Sequence, residues 1–178
     1  EVVRDNSLTE SVDAQIDKTV TTTSRFDTRG NAIDQETKTY VLNSAKEEKL
    51  ATVRETHNVD INNRGDASSQ EIKTYQTDDN GENLEIVSYQ VFTNRRYDSD
   101  HNVLNQMVFT YDNDSTTKLL LDVQEIRSIG YHSSGVALKQ IIATYSDAAK
   151  SEIVDVKVIV NDDISSSGNV GVSVVTKY

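Results

Sequence analysis

Apolar and polar residues alternate with a period of two along much of this chain, most plainly near its C-terminal end. Val154, Val156, Val158 and Val160 fall on one side of an extended segment, and Val170, Val172 and Val174 share one side of the next. Period-two spacing of β-branched residues predicts strands. Segments 84–97, 103–111, 153–164 and 170–178 read as long strands joined by turns. No sustained 3.6-residue pattern competes with them. Only Asn-Ser-Ala-Lys-Glu-Glu-Lys at 43–49 has the composition of a helical turn.

The strands belong to a recurring unit. An aromatic residue or Ile opens it at Phe26, Ile61, Tyr97, Tyr131 and Ile164. A pivot follows four residues later at Gly30, Gly65, His101, Gly135 and Gly168. A tyrosine closes it ten residues after that, at Tyr40, Tyr75, Tyr111, Tyr145 and Tyr178. Successive closing tyrosines are 35, 36, 34 and 33 residues apart, a period that marks a tandem array. The pivots sit late in short loops such as Asp-Thr-Arg-Gly-Asn at 27–31, where glycine supplies the positive φ of a hairpin turn. Asp78-Asp79-Asn80-Gly81 is a second turn signal between copies. If openers pair across the loop, their partners are Ala32, Ala67, Val103, Ala137 and Val170. Counted down the same hairpins, the closing tyrosines face Lys18, Val53, Tyr89, Val123 and Val156.

The expected fold class is all-β: tandem antiparallel β-hairpin repeats, about five copies of a ~35-residue unit, forming an elongated sheet. The tail of a preceding repeat takes up 1–14, and the copies run 15–47, 48–82, 83–117, 118–151 and 152–178. Starting inside one unit and stopping on a closing tyrosine is the expectation for a piece of a longer array. The alternative is a β-solenoid, in which Gln35, Gln70, Gln106 and Gln140, or Thr39, Thr74, Thr110 and Thr144, would stack as polar ladders. Val-Gly-Val-Ser-Val-Val at 170–175 reads as an apolar edge, expected to be covered by the next copy or by another subunit.

Composition narrows the function. The 178 residues contain no Pro, which suits a chain made of paired strands. The net charge of −11 argues against nucleic acid and anionic membrane surfaces. No apolar run reaches a membrane span, and with no Cys there is neither a disulfide framework nor thiolate chemistry. No nucleophile elbow, phosphate loop or zinc motif occurs, so an enzyme is not expected.

Tyr97-Asp98 before the pivot, with Phe26-Asp27 and Tyr131-His132 as variants, resembles the YD repeats of RHS-type bacterial surface and toxin proteins. The period here is longer than the usual YD unit, and two openers are Ile. The array looks closer to the YD-like hairpins of very large bacterial surface proteins. The resemblance implies an extracellular or cell-surface bacterial location and a non-enzymatic role as stalk, adhesive or fibre-forming module. Its partners would be neighbouring repeats or other copies of itself. A carbohydrate- or protein-binding array using exposed aromatics such as Tyr89, Tyr97 and Tyr111 is a second reading, and a segment of an RHS-like shell enclosing a toxin is a third.

Four features invite a site reading. Arg64-Gly65-Asp66 is an RGD tripeptide at an expected hairpin tip. Asp98, Asp100 and Asn102 have the oxygen spacing of a calcium loop without its downstream Glu, which makes calcium the one candidate cofactor. His57, His101 and His132 show no paired carboxylate or metal spacing in the sequence and read as solvated turn or strand residues. Asn113-Asp114-Ser115 is a glycosylation sequon.

Overall fold

The computed structural model describes residues 17–43, 45–112 and 119–178, and they contain strands and turns but no helix. Ten strands run in chain order: β1 (Asp17–Phe26), β2 (Ala32–Leu42), β3 (Glu48–Ile61), β4 (Ala67–Gln76), β5 (Glu85–Tyr97), β6 (Val103–Tyr111), β7 (Leu120–Tyr131), β8 (Ala137–Tyr145), β9 (Ile153–Ile164) and β10 (Val170–Lys177). All ten join one sheet in the order β1 to β10, each strand bonded to its sequence neighbours. This is the hairpin meander. The solenoid alternative is excluded, because equivalent residues lie two strands apart. The recurring glutamines instead bond inside their own hairpins, Gln35 Nε2 to Thr23 Oγ1 at 3.3 Å and Gln140 Nε2 to Ser128 Oγ at 3.2 Å.

Of the described residues, 17–58 and 71–89 form one compact unit, and 59–70 with 90–178 form the other. In the first, Phe26 faces Ala32 and Tyr40 faces Lys18 across β1 and β2, with an irregularity near Arg25. Its buried apolar side chains are Val53, Ile72 and Tyr89. In the second, Tyr131 faces Ala137 and Tyr145 faces Val123. Val170 faces Ile164. Tyr178 and Val156 exchange backbone bonds of 2.9 and 3.2 Å. Its buried apolar side chains are Ala67, Val108, Val123 and Ala137.

One sheet has no second layer to bury its faces, so burial comes sideways from the flanking strands. Val123, 0 % exposed, lies between Phe109 on β6 and Tyr145 on β8. A β-branched residue between two aromatics is covered without a facing layer. The valine row of β9 is less regular than its spacing suggests. A bulge sets Tyr145 opposite Ile153 and Thr144 opposite Asp155, so Val154 has no partner on β8.

One geometry recurs in loops at both ends of the strands, though not in the 146–152 loop, which Ser146 N closes on Glu152 O. Asp27 N donates to Asn31 O while Gly30 N donates to Asp27 O, and the same pair of bonds recurs at 62–66, 132–136 and 165–169. These are three-residue loops with a left-handed residue third. The described residues of 43–49 (43 and 45–49) belong to a turn of this kind and to the start of β3, and none is helical. Asn43 N donates to Glu47 O, Lys46 takes the left-handed position at φ 62°, and Glu48 already opens β3. Asn43 forms this turn because its Oδ1 accepts from Ala45 N and Glu47 N, 2.9 Å each, which drains donors a helical turn would need.

Candidate functional site

The side chain that starts each turn is consumed by the turn. Asp98 Oδ1 accepts from Asp100 N and Asn102 N at 2.9 Å, and Oδ2 accepts from Asn102 Nδ2 at 3.0 Å. Asp27, Asn62 and Asp78 cap their turns in the same way. The Asn102 amide and these backbone donors hold the Asp98 carboxyl below its ordinary range. The Asp of the Tyr-Asp signature is therefore a turn cap, and two of the three calcium-candidate residues, Asp98 and Asn102, are engaged with each other. Among the described residues no group of three or more His, Cys, Asp or Glu side chains is placed to hold a metal ion.

In the second unit, turns of successive copies are tied together. Arg64 donates to Asp98 O at 2.7 Å and Ser99 O at 3.0 Å. His101 Nδ1 lies 2.5 Å from Asp66 Oδ1. Asp66 is 7 % exposed, and the His101 bond, with Asn62 and Arg64 beside it, pulls its carboxyl below the usual range. Within the RGD tripeptide the carboxylate is thus buried and the guanidinium bonds neighbouring carbonyls, while Arg64 and Gly65 stay exposed. In the first unit, His57 Nδ1 lies 2.5 Å from Asp34 Oδ1, and Arg25 Nε is 2.7 Å from the other carboxylate oxygen. The expectation that these histidines lack a carboxylate partner is corrected for both. The partners are 23 and 35 residues away in sequence, on the adjacent hairpin. His132 bonds within its own turn, to Ser134.

A second tie repeats between copies, and no motif announces it. The residue opposite each opener offers its carbonyl to the following copy. Ala67 O accepts from the Tyr97 hydroxyl at 2.8 Å, and Val103 O accepts from the Tyr131 hydroxyl. Where the opener is Ile and has no hydroxyl, an Asn three residues earlier supplies the donor. Asn58 Nδ2 reaches Ala32 O at 3.0 Å, and Asn161 Nδ2 reaches Ala137 O at 2.9 Å. Asn58 and Asn161 precede Ile61 and Ile164 by the same interval, but Asn94 precedes Tyr97 by it too, so the spacing by itself does not mark the tie. The recurring threonines face the next copy as well, Thr39 against Thr52, Thr110 against Asp122 and Thr144 against Asp155.

The remaining repeat positions are framework. Gly30, Gly65, Gly135 and Gly168 have φ between +82° and +91°, and His101 holds the pivot at +65°. Ile61 ends β3, Tyr111 faces Leu120, and the Tyr75 hydroxyl donates to Glu55 at 3.1 Å. Tyr89 is corrected as an exposed aromatic: it is 1 % exposed, and its hydroxyl donates to Glu71. The sequon and the tail at 1–14 lie outside the described residues.

A shallow groove of about 480 Å³ lies in the first unit, with Asp34, Glu36, Glu55, His57, Glu71 and Lys73 along it. Glu36 and Glu55 sit directly opposite in register, with Lys38 beside Glu36 at 2.7 Å and the Tyr75 hydroxyl on Glu55. No helix among the described residues is long and apolar enough to cross a membrane. Comparison with protein families, curated proteins and solved structures finds no match to this chain.

Proposed function

We propose that this chain is a non-enzymatic structural or adhesive repeat module of a bacterial cell-surface or secreted protein, serving as a stalk or fibre-forming segment. The observation that carries the reading is the carbonyl opposite each opener, tied to the following copy at all four junctions by either of two donor types. Substituting the donor while keeping the bond is what a load-bearing array requires, and in a repeat array stability is the sum of such nearest-neighbour terms. Antibody labelling of intact cells, with and without protease shaving, tests the location. Pulling single chains tests the role: hairpins should yield one by one, and a single all-or-none rupture at low force would overturn it.

A second reading rests on the groove of the first unit, whose opposed Glu36 and Glu55 fit a cationic or polyhydroxylated ligand. A glycan array and a panel of cationic ligands test it. Saturable binding lost in Glu55→Ala would favour it over a purely mechanical role.

A further inference from the structure

The carbonyl that every junction satisfies has one counterpart beyond the last junction. Ala32, Ala67, Val103 and Ala137 each accept from the next copy, and the fifth residue of this set is Val170, on β10. No side-chain donor reaches it among the described residues. The strand carrying it is exposed along its whole length, with Val172, Val174 and Val175 each more than half exposed. Natural edges are usually protected by charge, proline or bulges. β1 carries such a device in the irregularity near Arg25, while its Lys18 and Arg25 are paired with Glu48 and Asp34. On β10 no register shift interrupts the pairing with β9, and its single charge, Lys177, is likewise turned back, to Asp155 at 2.9 Å.

We propose that the β10 edge is a receptor for a further hairpin of this repeat class, whose first strand adds antiparallel to β10 and gives a tyrosine hydroxyl or asparagine amide to Val170 O. This rests on the array reading above and makes it specific. The register follows from the existing junctions. Lys139 faces Val160 and Ile141 faces Val158, so the incoming strand would lie across Val172 and Val174 in the same way. Its main chain would use the outward groups of Ser173 and Val175, since Tyr178 and Val156 exchange bonds and outward residues alternate along the strand. A second copy of this chain fits less well. Its exposed first strand opens on Phe26, which has no hydroxyl, with Thr23 in place of the asparagine.

The test adds a synthetic peptide of residues 83–98, which carries Tyr97, to the whole chain and follows anisotropy and amide exchange. Saturable one-to-one binding is expected, with new protection at Ser173 and Val175. Because Asn94 stands three residues before Tyr97, Tyr97→Phe is combined with Asn94→Ala in the peptide, and the pair should weaken binding about threefold to tenfold, the range of one lost hydrogen bond. Ser173→Pro in the chain should abolish binding; should that variant not fold, Val175→Pro serves, and the two peptides alone still decide. Protection elsewhere, indifference to the combined Asn94→Ala and Tyr97→Phe change, or equal binding by a peptide of residues 17–30 would overturn the proposal. So would self-association of the chain through β10. These readings are independent of cell-surface labelling, so this proposal and the stalk role fail separately.

Discussion

His101 occupies the backbone position that four other copies give to glycine, at φ +65°. A side chain there costs roughly 1–2 kcal/mol. In return the imidazole meets the buried Asp66 carboxylate of the preceding turn. His101→Gly relieves the backbone and strips Asp66 of its main partner. At pH 7 the variant should melt below the parent. The gap should narrow only where pH falls through the depressed pKa of Asp66, and thermal melts down an acid series check this. Tyr131→Phe removes one bond, to Val103 O, without changing the backbone. Its cost should be about 1 kcal/mol by urea denaturation, with amide protection falling first between β6 and β7.

At the scale of the strand, position within the ladder decides what a side chain contributes. Val123 is closed in by Phe109 and Tyr145, whereas Val172 on β10 has a partner strand on one side only. Val123→Ala should cost about 2 kcal/mol, the loss of buried methyl groups plus a small cavity. Val172→Ala, at a site 51 % exposed, should fall within about 0.5 kcal/mol of the parent. Equal effects in a denaturant titration would mean that burial by flanking strands is not what stabilises this sheet.

For the molecule as a whole, acid is the expected weakness. Asp27, Asp34, Asp66, Asp78, Asp98, Asp147, Asp155 and Glu125 all have carboxyls held below their ordinary range by hydrogen bonds and neighbouring cations. A carboxylate whose pKa falls on folding stabilises the fold above its unfolded value and loses that contribution as protons return. Stability should therefore hold from neutral pH to about pH 5 and decline steeply below about pH 4. A melting temperature unchanged from pH 7 to pH 3 would refute this.

The alternation of Val156, Val158 and Val160, the pivots and the closing tyrosines were enough to specify hairpins, their registers and an all-β chain. These are local properties: side-chain direction repeats every two residues, and a left-handed turn residue announces itself by lacking a Cβ. The sequence could not choose between meander and solenoid, because the same recurring Gln and Thr fit either until strand order is known. Nor could it show that His101 meets Asp66, that the Asp66 carboxylate of the RGD tripeptide is buried, or that an asparagine before an isoleucine does the work of a tyrosine hydroxyl. Those contacts join residues 23 to 35 positions apart. Only the pairing of one hairpin with the next brings them within hydrogen-bonding distance, and no local pattern encodes that meeting.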